Sequence, residues 1–350
     1  MVSRNTIPRF RQFSLRFGVG FFLAICILFG FGARWYHDMR ARGEAQRRLV
    51  ELSKRQPEGA EAFIFVGYAA EKTVPWSTSL MRTWVHPEAS RRIAILSVSG
   101  EKLDKVKLIE DVRNTYDIES INVTCGSMTT EFAAVLFGAP GLQKLLVVCD
   151  LGEAPRSDEY LLSLRVATDL KTLVLKTPLL SETGSSYLSL APELSDVTLF
   201  ACTPKALGNM VALPKLEQLT IEAIVPSNSD RPGELAAALG KLAEHPRLSS
   251  LSLSGRLPIE PLELDQFCQR SRIKHLTLRH AELNADALAQ FAQLPRLEKL
   301  EVYDEALIDE DFMMLLSAKH LRSLLIGPKV SDEGITLMRQ KLPQCKIQKF

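Results

Sequence analysis

No two of the six cysteines in this 350-residue chain stand in a CxxC pair. That spacing excludes a zinc ribbon and a dense disulfide framework. The six histidines, at 37, 86, 245, 275, 280 and 320, show no ligand spacing. There is no GxSxG, no HExxH and no phosphate-binding glycine loop. Excess charge of one sign is also missing: the formal net charge is +2. A chain so balanced carries no broad basic surface for nucleic acid. Together these absences remove the usual signatures of hydrolases, metalloenzymes and nucleotide-binding enzymes, so no catalytic residue, metal or cofactor is expected. What remains is ordinary globular material, 46% hydrophobic and 24% charged. The length suits two average domains or one long repetitive one.

Arginine is concentrated at the N-terminus. A basic tail covers 1–16, followed by Phe17 to Ala33, seventeen residues without a charge. As a helix this run spans roughly 25 Å, near the short limit for crossing a bilayer. Arg16 and Arg34 bracket it, and Trp35 and Tyr36 stand where an interfacial aromatic belt would lie. We read 17–36 as an uncleaved single-span anchor; a cleaved signal peptide and a buried helix are the alternatives. The tail carries Arg4, Arg9, Arg11 and Arg16 and no acid, whereas Asp38 and Glu44 dilute the arginines on the other flank. The acid-free tail favours the inside, placing the bulk of the chain on the extracytoplasmic side of the cell membrane. Residues 37–57, polar and Arg-rich, read as a juxtamembrane helix or connector stopped by Pro57.

The rest of the chain repeats. The pattern apolar-x-x-apolar-x-apolar recurs as IAILSV at Ile93, IESINV at Ile118, LQKLLV at Leu142, LKTLVL at Leu170 and LSDVTL at Leu194. It continues with LEQLTI at Leu216, LSSLSL at Leu248, IKHLTL at Ile273, LEKLEV at Leu297 and LRSLLI at Leu321, then a truncated CKIQKF at Cys345. The starts are 22 to 32 residues apart, most of them 24 or 25. That period is the one expected of leucine-rich repeats. Within one unit, Ile273, Leu276 and Leu278 point inward from a short strand and its approach. Asn284 caps the next helix, Leu288 and Phe291 share its covering face, and Pro295 ends it. Asp309 and Ser331 precede the following two helices in the same way. No unit buries its apolar face alone, so neighbours stack into one core.

The pattern LxxLxLxxxxISDEGLxxLxxxLPxCxI, matched closely by VSDEGITLMRQKLPQCKI at the chain's end, resembles the ribonuclease-inhibitor-like class of leucine-rich repeats. With RQFSLRFGVGFFLAICILFGF, the following WY and the strand-like AFIFVGY, the chain resembles single-span leucine-rich repeat proteins of planctomycete-type bacteria. The resemblance implies an α/β solenoid over 93–350, strands on a concave face and helices on a convex one. It also implies a membrane-tethered binding scaffold.

Residues 58–92 precede the regular units and read as an N-terminal cap: Phe63, Phe65 and Val66 suggest an edge strand, and Pro75 to Trp84 a short helix. The repeats depart from regularity between Leu142 and Leu170 and between Leu216 and Leu248, where IVPSNSDRPGEL is inserted. No cap follows Phe350, which leaves the last strand, Cys345 to Gln348, open to a second copy.

Two columns of strand residues face outward. One runs Asn122, Leu146, Val174, Thr198, Thr220, Ser252, Thr277, Glu301, Leu325. The other runs Thr124, Val148, Lys176, Phe200, Glu222, Ser254, Arg279, Tyr303, Gly327. Leu146, Val148, Val174 and Phe200 form a candidate apolar patch, unless the cap or the irregular 150–169 segment folds over it. Arg279 and Tyr303 are hot-spot residue types in adjacent units. Cys125 and Cys149 share one repeat position in neighbouring units, within Cα range of a disulfide; two buried thiols is the other reading. Glu305, Asp309, Glu310 and Asp311 crowd one helix start, as a cation site or as acids drawn by the helix dipole. Three functions fit. The first is a non-enzymatic membrane-anchored scaffold for a protein or peptide. The second is a self-associating envelope protein, and the third a receptor or enzyme using the concave face.

Overall fold

The computed structural model describes scattered positions between 37 and 51, the backbone of Phe63–Tyr68 and Ile93–Ser99, and most of 118–350. Within the last range 126–127, 150–157, 178, 226–232, 256–263 and 282 are not described. The chain divides into two compact units, Met1–Arg48 with Ala70–Arg91, and Leu49–Ala69 with Arg92–Phe350. In the first, the described positions from 37 onward are helical, and Arg40 Nε meets Glu44 Oε1 at 3.0 Å one turn apart. Among the described residues no helix is long and apolar enough to cross a membrane. The expected span, 17–36, and the expected cap helix at 75–84 lie outside them.

The second unit is built on one twelve-stranded sheet whose strands follow chain order. They are β1 (Phe63–Tyr68), β2 (Ile93–Ser99), β3 (Ser120–Cys125), β4 (Lys144–Cys149), β5 (Thr172–Lys176) and β6 (Asp196–Leu199). Then come β7 (Gln218–Ile221), β8 (Ser250–Ser254), β9 (His275–Arg279), β10 (Lys299–Tyr303), β11 (Ser323–Ile326) and β12 (Lys346–Lys349). Strand β1 pairs with β2 antiparallel; from β2 to β12 every pairing is parallel. A parallel neighbour needs a crossover, and helices supply it. These are α1 (Thr130–Phe137), α2 (Glu182–Tyr187), α3 (Pro204–Asn209), α4 (Glu234–Ala243), α5 (Asp265–Arg270), α6 (Ala285–Phe291), α7 (Asp309–Met313) and α8 (Asp332–Lys341). Between β4 and β5 the crossover is a 3₁₀ segment, Asp158–Val166, instead. Parallel strands joined in order by helices, one unit per repeat, make a leucine-rich-repeat-like solenoid.

Period-two alternation explains the core. Ile121, Leu145, Leu173, Val197, Leu219, Leu251, Leu276, Leu300, Leu324 and Ile347 are register partners along the sheet, and all are buried. The described helices cover this face with Phe132, Leu207, Leu239, Phe267, Leu288, Phe312 and Met338. Burying one such side chain stabilises by roughly 1.5–3 kcal/mol.

Two polar devices hold the units in register. Gln143 O accepts from both Lys171 N and Thr172 N at 2.9 Å, and the same double acceptance recurs at Lys171, Ser195, Glu217, Ser249, Lys274 and Glu298. The second device is a clasp between crossovers. Asp309 accepts from Ser331 N at 2.7 Å and from Ser331 Oγ at 2.5 Å, and that same Oγ accepts from Gly334 N at 3.0 Å. Asp158, Ser181 and Gly184 repeat the arrangement near the other end. A Cβ on Gly334 would stand 2.6 Å from Asp309 Cγ, which is why SDEG needs its glycine.

Two local readings are corrected. Asp309 does not cap its own helix: Ile308 holds the cap position and Asp311 Oδ2 accepts from Ile308 N at 2.9 Å. Asp309 is turned toward the next unit because Ser331 offers two donors there. Helix α6 ends at Phe291, four residues before Pro295, since Ala292 to Pro295 already form the turn into β10. Asn284 does cap α6, accepting from Ala287 N at 2.8 Å.

Candidate interaction surface

The face opposite the core carries the outward columns. Leu146, Val148 and Val174 are partly exposed, and Phe200, just past β6, retains 39% of its surface. Leu146 and Val174 are direct register partners, as are Val148 and Lys176. In the second column Lys176 therefore stands between Val148 and Phe200. The apolar residues are thus interrupted there by an ammonium whose stem can lie along them. The described part of the irregular segment does not fold over this face. Asp158–Val166 packs among the helices, burying Tyr160, Leu161 and Leu164, with Ser163 Oγ donating to Thr130 O at 3.3 Å. Residues 150–157 lie outside the description.

At the other end the outward chemistry is polar and aromatic. Arg279 lies over the Tyr303 ring at 4.6 Å from its centroid, and Phe350 meets the same ring at 5.0 Å, tilted by 45°. Phe350 closes the truncated repeat CKIQKF, into which the outward columns were not extended. The available signal was Gly327, the one residue without a side chain in that column. Gly327 is buried rather than outward-facing: any Cβ there would collide with the Asp304 carbonyl, and Phe350 occupies the space beside it. Below Tyr303, Lys299 Nζ holds Glu301 Oε1 at 2.6 Å, and Thr277 Oγ1 donates to Glu301 Oε2 at 3.2 Å. Burial pushes the Glu301 carboxyl up, but Lys299, Thr277 and Arg279 outweigh it and hold it below its ordinary range. In the other half, burial raises the Asp196 carboxyl against the opposing charge of Lys144.

Cys125 and Cys149 stand directly opposite each other in register on β3 and β4, both on the buried side, and no disulfide joins them. Parallel strands about 4.8 Å apart keep in-register Cβ atoms near that separation, beyond the roughly 3.8 Å a disulfide prefers. The acidic loop also has a structural use: Asp309 serves Ser331, Asp311 serves Ile308, and buried Asp304 accepts from Leu283 N at 3.1 Å and Ala306 N at 2.9 Å. Among the described residues no group of side chains is placed to hold a metal ion. His245 is a satisfied core residue, with Nε2 2.8 Å from Leu213 O and Nδ1 accepting from Leu248 N at 3.0 Å. The last strand runs Lys346–Lys349, one residue later than its sequence pattern, and among the described residues it pairs on one side only. Its two lysines place positive charge on that edge, which opposes pairing with a second copy of itself.

No family model matches the chain, and no curated protein matches it. Solved structures do match. A crystal structure of a TLR13–ssRNA13 complex has a TM-score of 0.43 and 15% identity, covering 73% of this chain. The chain spans 40% of the length of that structure's protein.

Proposed function

We propose that this chain is a non-enzymatic, membrane-tethered interaction scaffold whose strand face binds a protein or peptide. One observation carries the reading: the solenoid leaves Leu146, Val148, Val174 and the 39%-exposed Phe200 at least partly exposed around Lys176 on the face away from its core. Apolar clusters at a surface mark contact sites. A repeat architecture supplies surface, and the described outward groups converge on no nucleophile, base or metal cage. The tether is the charge-free run Phe17 to Ala33, which the sequence supports by length and flanking residues. Its acid-free basic tail favours an extracytoplasmic solenoid. The anchored arrangement is the one implied by resemblance to single-span leucine-rich repeat proteins.

The test is a photo-crosslinking residue placed at Val174 in the full chain, in the native host's membranes, with Lys241 on α4 as the control position. We expect a discrete protein adduct at 174, absent at 241 and lost when Phe200→Glu is added. Equal adducts at both positions, or none at 174, would reject the strand face as the binding surface.

A further inference from the structure

Charge on the helix-to-strand edge of the solenoid changes along its length. Toward the middle two cations there are paired: Lys215 Nζ holds Glu193 Oε2 at 2.5 Å, and Arg270 pairs with Glu244. Further on, cations outnumber acids. Lys274, Arg296, Lys319, His320 and Arg322 line a cleft of about 570 Å³ whose acidic lining residue is Glu298. Lys274 reaches Glu298 at 3.6 Å. Among the described residues, the side chains of Arg296, Lys319 and Arg322 make no ion pair and no hydrogen bond, and all three are exposed.

Backbone carbonyls do not hold this cluster. Where a cation in this region meets one, the bond is present: Arg339 donates to Ile347 O on β12 at 3.2 Å and Lys349 to Val330 O, just before α8, at 2.7 Å. Lys274 O accepts from Glu298 N at 2.8 Å, Glu298 O from Arg322 N at 2.8 Å, and Arg322 O from Lys346 N at 2.7 Å. Lys274, Glu298, Arg322 and Lys346 are thus successive rungs, fixed at about the 4.8 Å strand spacing. Arg296 and His320 sit two residues before the second and third rungs, so cations project along a line across several units.

We propose that this cleft docks an extended acidic peptide segment of the scaffold's partner, a reading that rests on the function proposed above. Charge complementarity selects the ligand: guanidinium forks take carboxylates in bidentate fashion. An extended strand presents same-side carboxylates every second residue, about 6.6 Å apart, against rungs about 4.8 Å apart, a difference that the long arginine and lysine stems can span. The Lys274–Glu298 pair shows a carboxylate already accepted within the cleft. The lining contains Pro295 and Leu321 but no aromatic ring on which a base could stack.

The experiment measures fluorescence anisotropy of labelled hexaglutamate with the full chain in an uncharged detergent. The expected result is saturable binding that weakens with added salt. The double reversal Arg296→Glu/Arg322→Glu weakens it about tenfold or more, as loss of charge-assisted pairs predicts, while Lys176→Glu on the strand face leaves it unchanged. Circular dichroism confirms that both variants fold. Absence of binding, or equal loss in Lys176→Glu, overturns the proposal. So does binding of inorganic tripolyphosphate without binding of hexaglutamate, which would make the cleft a small-anion site. Failure of the strand-face adducts with hexaglutamate binding intact would reject the strand face and leave the cleft standing; the converse would reject the cleft alone.

Discussion

The stretches β3–β6 and β9–β12 share a backbone and differ in what they show to solvent. Both bury the same inward ladder, Ile121 to Val197 in one and Leu276 to Ile347 in the other. Outward, the first offers Leu146, Val148, Val174 and Phe200, and the second offers Arg279, Tyr303, Glu301 and Phe350. The solenoid therefore separates two demands. Register and packing are satisfied on one side of each strand, and the other side is free to vary along the chain. The outward face therefore has an apolar end and a cationic-aromatic end.

The largest expected effect tests whether the two stretches share one core. Leu145→Ala and Leu300→Ala remove equivalent ladder residues, exposed by 1% and 0%. Each should cost about 3 kcal/mol in urea unfolding, within the range for a leucine lost from a packed core. If one is tolerated at under about 1 kcal/mol, the shared-core half of the comparison fails, because only a loosely packed or collapsible site gives so little.

A smaller effect separates the clasps. Gly334→Ala drives a Cβ against the clasped Asp309 carboxylate, and Gly184→Ala does the same to Asp158. Overpacking of this kind costs about 1–3 kcal/mol. Ser331→Ala, which removes the cap and the hydroxyl's bond to Asp309 but keeps the backbone one, should cost about 1 kcal/mol or somewhat more. Thermal unfolding of the three variants compares the ends directly, and unequal losses at Gly184 and Gly334 would show that one clasp is dispensable.

The smallest effects are pH-dependent. The Ser331 hydroxyl, followed by the Ser331 N–H, holds the Asp309 carboxyl below its ordinary value of 3.8. A carboxyl depressed by folding stabilises fully above its unfolded value, and that contribution is lost as pH falls through its folded value. Asp309→Asn should therefore flatten the acid limb of the urea midpoint below pH 3.8. On the alkaline side, burial pushes the Cys202 and Cys268 thiols from 9.0 up to about 12. Raised thiols stabilise fully below pH 9 and lose that contribution as pH rises toward 12. The Cys202→Ala/Cys268→Ala variant, less stable overall, should show a shallower alkaline decline.

Periodicity made the inward residues legible. Leu276, Leu278, Leu288 and Phe291 were assigned to the core from spacing alone, and all four are buried. The Asn284 and Ser331 caps were legible because capping is local, spanning three residues. What spacing did not give was anything carried between units. The clasp of Asp309 on Ser331 spans 22 residues, so Asp309 read as an ordinary cap. The Phe350 ring lies outside the alignment that defined the columns, and the space it fills exists because Gly327 has no side chain. Lys176 was in the column beside the apolar residues, but its place between Val148 and Phe200 matters only once β4, β5 and β6 are side by side.

By itself the sequence determined the repeat, its strand and helix phases, the core ladder and the absence of familiar catalytic signatures. Alternation and helical spacing are local properties, and local properties are written in adjacent residues. The tertiary structure decided which carboxylate meets which hydroxyl, that two cysteines stand in register on the buried side, and where exposed cations gather. Those depend on distances across units, set by strand spacing and by backbone bonds between repeats about two dozen residues apart.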